Sequence, residues 1–208
     1  MKILFFGDSI TDAKRTRDND EELCSLGAGY VREIAGKLLY DEPNKYQIIN
    51  RGISGDRIVD LYARIKSDVW NLQPDVLSIL IGVNDVWHEI RRKNGVDIER
   101  FDRIYRMLID DTLKRLPHIR IIIMEPFVLQ GSATQEYWTE FSAVSDYAKA
   151  VRKIAEDYGF PFVALQNCLN EFSERFGAEN YLKDGVHPYF AGATLIAEEW
   201  LKVFKKKV

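Results

Sequence analysis

A serine, a histidine and an aspartate in this sequence have the types and surroundings needed for a nucleophile, a base and a group that orients the base. Ser9 follows an apolar run and a Gly-Asp turn, where a lone serine is readily interpreted as a helix N-cap. A hydroxyl becomes an effective nucleophile only with a base within hydrogen-bonding reach. Of the three histidines, His187 has the most informative neighbours: Asp184 stands three residues before it and Pro188 directly after it.

Pro188 predicts the start of a final helix, because proline is favoured at the first helical position, and His187 would then lie at the N-cap. Asp184 can accept the Nδ1 proton of the histidine and leave Nε2 free to take a proton from the serine. The other histidines are interpreted differently. His118 is expected at the C-terminus of a helix, where it interacts favourably with the helix dipole. His88 is expected at the surface or in the lining of a cleft.

Acyl transfer to a serine also requires hydrogen-bond donors for the negative oxygen, and one such donor commonly contributes about 3 to 4 kcal/mol. Gly52 offers a backbone N–H, Asn84 offers a side-chain amide, and Ser9 offers its own N–H. Each has a structural alternative: Gly52 as a tight-turn residue, and Asn84 with Asp85 as a helix cap. The combination favours an oxyanion hole.

The elements that must position these residues alternate between strands and helices. Five short runs rich in Ile, Val and Phe predict strands that are buried on both faces of a parallel sheet; they cover residues 2–6, 46–50, 76–81, 119–124 and 161–164. Segments with helical periodicity lie between them, including one over 137–155 and a final one over 193–204. This pattern predicts a three-layer α/β/α fold with a central five-stranded parallel sheet.

Ligands of such folds bind at the carboxyl ends of the strands. Residues 7–12, 50–56 and 82–85 directly follow the first three predicted strands, and the loop that carries His187 can reach the same edge. The polar segment 14–22 is interpreted as a solvated loop, with a role in shaping the cleft as the alternative. The polar clusters are therefore expected to converge.

Composition excludes several classes of protein. The 208 residues fit one domain over 1–208, and the net charge of -3 arises from charges scattered along the chain, which argues against a nucleic-acid-binding surface. No apolar run approaches the roughly 18 residues that a membrane span needs, and the N-terminal run is too short for a signal peptide. Cys24 and Cys168 are expected to be reduced thiols. The cytoplasm is the predicted location.

Together these motifs resemble the SGNH or GDSL hydrolases, a superfamily of esterases and lipases. The resemblance is carried by four blocks in the family's order: Gly7-Asp8-Ser9, Gly52, Gly82 to Asp85, and Asp184 to His187. It implies a flavodoxin-like fold, Ser9 as nucleophile, and an oxyanion hole formed by the N–H groups of Ser9 and Gly52 with the Asn84 side chain. It also implies that neither a metal nor an organic cofactor is needed. Lys14 stands near where many members carry a further glycine, which leaves the shape of the following loop open.

Within the superfamily, residues 8–12, 51–55 and 81–87 are similar to bacterial carbohydrate esterases that remove acetyl groups. The expected partner is a small ester, with acetylated oligosaccharides preferred. Asp8, Asp85 and Trp87 are expected to support or line the site, Trp87 either as a platform for a sugar or as a core residue. Lysophospholipids and thioesters are alternative substrates, and a non-catalytic flavodoxin-like binding module is the rival from another class. A homo-oligomer is left open.

Overall fold

A computed structural model describes residues 1–19 and 22–207 of the chain. Its five strands are β1 (Lys2–Gly7), β2 (Gln47–Gly52), β3 (Val76–Leu80), β4 (Arg120–Met124) and β5 (Phe162–Val163). The helices before β4 are α1 (Ser9–Asp12), α2 (Tyr30–Asp41), α3 (Ile58–Asp68), α4 (Val83–Arg92) and α5 (Ile98–Arg115). The helices after it are α6 (Trp138–Phe141), α7 (Val144–Tyr158), α8 (Gln166–Phe176) and α9 (Phe190–Lys207).

All five strands are parallel and form one sheet in the order β2-β1-β3-β4-β5. The predicted five-stranded parallel sheet is confirmed, and each strand lies where its apolar run predicted it. Strand β1 lies between β2 and β3, and its residues 3–6 are fully buried, because parallel strands need crossover helices that cover both faces of the sheet.

Alternating residues of β1 show what covers each face. The ring of Phe5 packs against Tyr30 of α2 and Trp200 of α9, with centroids 5.8 and 5.2 Å apart. Phe6 points to the opposite face, where the Arg64 guanidinium of α3 lies 4.4 Å from its ring centroid. Helices α2 and α9 pack together on one face, and α5 contacts both α3 and α7 on the other. The three-layer α/β/α prediction is therefore confirmed.

Two local predictions are wrong, and one helix was not predicted. The single helix expected over 137–155 is two helices, α6 and α7, with a break at Ser142 and Ala143. Helix α8 has no counterpart in the prediction because Leu169 is its one fully buried side chain, so its apolar stripe is narrow. Pro188 does not begin the last helix: it forms an isolated antiparallel bridge with Leu182, and α9 begins two residues later.

Candidate active site

Ser9 begins α1 directly beyond the carboxyl end of β1. Asp8, and not Ser9, caps this helix, because its Oδ1 accepts a hydrogen bond of 2.9 Å from the N–H of Ile10. The Ser9 hydroxyl is thereby left for another partner, and its Oγ lies 2.9 Å from Nε2 of His187. The alternative interpretation of Ser9 as a helix cap is therefore wrong.

His187 is held on its other side by Asp184. The Nδ1 atom of the ring lies 2.8 Å from Asp184 Oδ2, while Asp184 Oδ1 accepts hydrogen bonds from the backbone N–H groups of Val186 and His187 at 3.0 and 2.9 Å. This compact turn, and not a helix N-cap, fixes the orientation of the histidine. His118 is exposed at the end of α5 and His88 lies half-buried in α4.

The hydrogen bonds of this turn shift the acid–base behaviour of both residues. Burial opposes the ionisation of Asp184, but the hydrogen bonds from the side chain and backbone of His187 outweigh it and lower the Asp184 pKa to about 2. The hydrogen bond from Asp184 raises the pKa of His187 above its ordinary 6.5, against the opposing effect of burial. The carboxylate therefore stays charged at neutral pH and favours a proton on Nδ1, which leaves Nε2 of neutral histidine as an acceptor.

A second loop, residues 128–134 after β4, supports the turn from behind. The N–H groups of Leu129 and Ala133 donate to the carbonyls of Gly185 and Asp184, at 2.8 and 3.0 Å. The loops approach so closely that a Cβ on Gly131 would lie 2.4 Å from the carbonyl carbon of Asp184. Only a residue without a side chain fits this contact, so the position of Asp184 depends on a strand end that the sequence did not single out.

Gly52 is not the oxyanion donor that the sequence predicted. Its N–H donates a hydrogen bond of 2.8 Å to the side-chain oxygen of Asn50, two residues earlier in the chain. A Cβ on Gly52 would lie 2.2 Å from the backbone nitrogen of Asp12. The glycine is therefore required for the close approach of α1 to β2, and its N–H is already engaged.

Gly55 and Asn84 meet at the same strand ends. Gly55 has a φ of 90°, in the region that favours glycine. Asp56 follows Gly55 in the chain, and its carbonyl accepts a hydrogen bond of 3.0 Å from Asn84 Nδ2. One N–H of the Asn84 amide remains for another acceptor. Within the described part of the chain, the backbone N–H groups of Ser9 and Gly55 make no hydrogen bond. Gly55 is the second glycine of the segment 50–56, and the sequence alone does not show which of the two glycines keeps a free N–H.

Asp8 and Asp85 are buried beside these groups, each with one carboxyl oxygen that has no partner among the described residues. Asp85 Oδ1 accepts from the N–H of Ile58 at 3.1 Å, so it joins α4 to the start of α3. Burial raises the pKa of Asp8 to about 7 and the pKa of Asp85 well above its usual range. Asp8 also interacts electrostatically with His187: the carboxylate raises the pKa of His187, and the positive charge of the protonated histidine lowers the pKa of Asp8.

Trp87 is a half-buried wall of the site. Its ring centroid lies 5.9 Å from that of His187 and 5.6 Å from that of Phe141 in α6. Because Trp87 stands three residues after Asn84 in α4, both side chains project from the same side of that helix. The ring is therefore neither a fully buried core residue nor a free platform.

One residue of the segment 14–22, Arg15, packs against the end of β2, while Asp20 and Glu21 lie outside the described residues. The Arg15 side chain is buried and its Nε donates to the carbonyl of Gly52 at 2.9 Å. Lys14 has a φ of 61°, a left-handed conformation that favours glycine, which gives a physical reason for a glycine there in related sequences. Arg15 therefore anchors the start of this segment to the end of β2, while Lys14 and residues 16–19 are exposed.

The described residues contain no group of three His, Cys, Asp or Glu side chains arranged to hold a metal ion. None of the helices formed by residues 1–19 and 22–207 is long and apolar enough to cross a bilayer.

A family model for the GDSL-like lipase/acylhydrolase family matches residues 5–195, which include the strand before Ser9 and the loop of His187. The chain belongs to this family. It is a carboxylic ester hydrolase of the GDSL type, as the resemblance predicted.

Named relatives of this GDSL hydrolase include two esterases. An acetylxylan esterase from Geobacillus stearothermophilus is 34% identical over 97% of this chain and 92% of its own. An isoamyl acetate-hydrolysing esterase from Saccharomyces cerevisiae is 28% identical over 98% of this chain and 86% of its own. Both alignments extend over nearly the whole chain, so the similarity is not confined to one segment of the site.

Solved structures agree with the fold of this GDSL hydrolase. One from Parabacteroides merdae, described as a GDSL-like lipase, superimposes with a TM-score of 0.92 at 35% identity and covers 99% of this chain and 96% of its own. The Geobacillus acetylxylan esterase superimposes with a TM-score of 0.86 at 34% identity over 97% of this chain and 92% of its own.

Proposed function

We propose that this protein hydrolyses short-chain carboxylic esters, and acetyl esters of carbohydrates in particular, through an acyl-enzyme on Ser9. The observation that carries the proposal is the continuous line of hydrogen bonds from Ser9 Oγ through His187 to Asp184, at 2.9 and 2.8 Å. This is the geometry that activates a serine hydroxyl: the base is within reach of the nucleophile and is itself oriented by a carboxylate.

In the first half of the reaction, Ser9 Oγ attacks the ester carbonyl carbon while His187 Nε2 takes the hydroxyl proton. The resulting imidazolium is stabilised by Asp184, and it then donates its proton to the departing alcohol oxygen as the ester C–O bond breaks. In the second half, water attacks the acyl carbonyl with His187 again as base, which releases the carboxylic acid and restores the serine. The ester and one water molecule therefore supply every atom and proton of the products.

For the oxyanion, we assign the N–H groups of Ser9 and Gly55 and the remaining N–H of Asn84. Gly55 replaces Gly52 in this role because its N–H is free of other hydrogen bonds and because Asn84 is bonded to the carbonyl of the adjacent residue, Asp56. Donors held in place before reaction need no reorganisation as the negative charge develops on the oxygen.

Two features of the relatives support this assignment and the acetyl preference. Solved variants of the acetylxylan esterase that are described as catalytic mutants replace a serine, an aspartate and a histidine, and the aspartate precedes the histidine by three residues. Asp184 and His187 have the same separation. Both named relatives act on acetate esters, and the Trp87 ring, 5.9 Å from that of His187, occupies space beside the histidine.

The test of the catalytic residues is p-nitrophenyl acetate turnover by Ser9→Ala and His187→Ala, each with a matched control. Ser67→Ala and His118→Ala change the same residue types at exposed positions outside the site. We expect loss of at least about 1,000-fold in kcat for the first pair and unchanged turnover for the controls. Turnover within ten-fold of wild type in either catalytic variant would contradict the assignment.

Substrate preference is tested separately with a series of p-nitrophenyl esters from acetate to decanoate and with acetylated xylo-oligosaccharides. We expect kcat/KM to fall as the acyl chain lengthens, because an extended apolar pocket is needed to hold a long chain. A Trp87→Ala variant should recover activity on butyrate relative to acetate. A wild-type preference for chains beyond about eight carbons would instead support the lysophospholipase or thioesterase alternative.

Two further expectations stay predictions. The cytoplasmic location is tested by cell fractionation. The homo-oligomer is tested by light scattering; Tyr189 and Phe190, whose side chains are 51% and 75% exposed, are apolar positions that a contact between copies could cover.

A further inference from the structure

A cavity of about 600 Å³ lies beside the active site, between the loop after β4, the junction of α6 and α7, and helix α8. This volume falls within the range of about 300 to 1,000 Å³ that is typical of small-molecule sites. Ten described residues line it: Val128, Leu129, Gln130, Trp138, Ser142, Ser145, Gln166, Asn170, Ser173 and Glu174. None of these ten carries a positive charge, and Glu174 carries the one negative charge.

The walls offer neutral hydrogen-bonding groups beside an aromatic ring. Gln166 is used internally, because its amide bonds to both backbone groups of Val128 and to Asn170 Oδ1. This leaves the side-chain N–H₂ of Asn170 as a donor toward the cavity side of α8. The indole N–H of Trp138 and the hydroxyl of Ser145 also make no hydrogen bond within the described part of the chain.

Such a wall fits a ligand with many hydroxyl groups. Amides and hydroxyls both donate to and accept from sugar hydroxyls, and a carboxylate such as Glu174 accepts from two of them. The flat apolar face of Trp138 suits the C–H face of a sugar ring, while its N–H supplies a polar edge. An anionic ligand is disfavoured, because the lining holds no cation to pair with it and Glu174 would repel it. A long acyl chain is also disfavoured, because it would leave the amides without hydrogen-bond partners.

The cavity is joined to the catalytic residues by two short routes. Leu129, which lines the cavity, donates from its N–H to the carbonyl of Gly185 at 2.8 Å, next to Asp184. Trp138 belongs to the same short helix as Phe141, whose ring packs against Trp87 beside the catalytic histidine. These contacts place the cavity wall against the turn that carries Asp184 and against the helix that packs on Trp87.

We propose that this cavity is a binding site for neutral sugar units of the carbohydrate that carries the ester, separate from the site that binds the acyl group. The inference rests on the proposed function, because it names the part of the substrate that the catalytic residues do not touch. Trp138 supplies the stacking face, and Asn170 supplies hydrogen-bond donors.

Binding is tested with unacetylated xylotetraose and cellotetraose, titrated calorimetrically into the Ser9→Ala protein. Trp138→Ala and Asn170→Ala are introduced into that background, with Asn167→Ala as the matched control, since Asn167 is an exposed asparagine of α8 outside the cavity lining. We expect affinity to fall about ten-fold for the tryptophan variant and about three- to ten-fold for Asn170→Ala. The control should bind like its parent.

The kinetic counterpart compares acetylated xylotetraose with p-nitrophenyl acetate in the otherwise wild-type enzyme. Both cavity variants should raise KM for the oligosaccharide several-fold with little change in kcat, while p-nitrophenyl acetate turnover stays unchanged. Thermal unfolding of each variant separates a lost contact from a damaged fold, and the exposed Asn170 keeps the test informative if Trp138→Ala unfolds.

Affinity within two-fold of the parent for both cavity variants, or no binding of either tetrasaccharide at millimolar concentration, would overturn the proposal. Neither result would affect p-nitrophenyl acetate hydrolysis by the serine and histidine. Failure of this inference is therefore distinguishable from failure of the proposed function.

Discussion

Replacing Asp184 with asparagine should inactivate the enzyme while leaving its fold nearly intact. The amide keeps an oxygen that can accept from the backbone N–H groups of Val186 and His187, which now bond to Oδ1 at 3.0 and 2.9 Å. Its NH₂ group then takes the place of Oδ2, 2.8 Å from His187 Nδ1. Because that group only donates, Nδ1 must become an acceptor and the ring proton must move to Nε2.

The histidine then presents a donor to Ser9 Oγ, 2.9 Å away, where the reaction needs an acceptor. A wrong tautomer of this kind reduces kcat by about 10⁴-fold in a serine triad, which corresponds to about 5 kcal/mol of transition-state stabilisation. The effect on stability should be smaller. Lowering the Asp184 pKa from 3.8 to about 2 corresponds to about 2 kcal/mol at most, reduced by solvent screening at a side chain that is 24% exposed.

The sign of the stability term follows from the lowered pKa. The contribution of Asp184 is present above the unfolded-state value near 3.8 and is lost as the pH falls toward about 2, so wild type and Asp184→Asn should differ in stability at pH 7 and converge in strong acid. The assay is p-nitrophenyl acetate turnover together with urea unfolding, and Asp146→Asn on the exposed surface of α7 is the control. A kcat within ten-fold of wild type would refute the role of Asp184 in orienting the histidine.

Three more changes test an oxyanion donor, a buried acid and a close backbone contact. Asn84→Ala should lower kcat about 100- to 1,000-fold with little change in KM; a loss below five-fold in steady-state kinetics would remove the amide from the oxyanion hole. Asp8→Asn should shift the acid limb of kcat/KM to lower pH, because the Asp8 charge raises the His187 pKa. The same variant should lose less stability between about pH 4 and 7, because over that range Asp8 is ionised in the unfolded chain but still protonated in the folded protein, so that wild type loses stability until the pH passes about 7; parallel profiles of stability against pH for the two proteins would contradict this. Gly52→Ala should destabilise the fold by about 3 kcal/mol in urea unfolding, because its Cβ would meet the backbone of Asp12 at 2.2 Å, and a midpoint equal to wild type would show that the contact relaxes.

The sequence predicted those features that depend on local composition. The strands were correct because each is a short apolar run buried on both faces, a pattern that few other structures produce. Ser9 and His187 were brought together by topology alone, since the ends of β1 and of the last loop lie at one edge of the sheet.

Features that depend on one specific side-chain or backbone contact were not predictable. Whether Gly52 or Gly55 has a free N–H depends on the Asn50 side chain, which turns back to accept from Gly52. Pro188 has the residue type of a helix start, but its bridge to Leu182 takes precedence. The close contact of Gly131 with the turn of Asp184 joins residues that are far apart in the chain, and periodicity carries no information about it.

The separation of 178 positions between Ser9 and His187 also determines when the enzyme can become active during its own synthesis. A nascent chain that has emerged only as far as β5 already contains the serine, Gly55 and Asn84, but it has neither the base nor the carboxylate that orients it. Hydrolysis can therefore begin only after the segment that follows α8 has left the ribosome and docked against the loop after β4. In a translation reaction that contains a chromogenic ester, the appearance of activity would report the completion of folding rather than the accumulation of polypeptide.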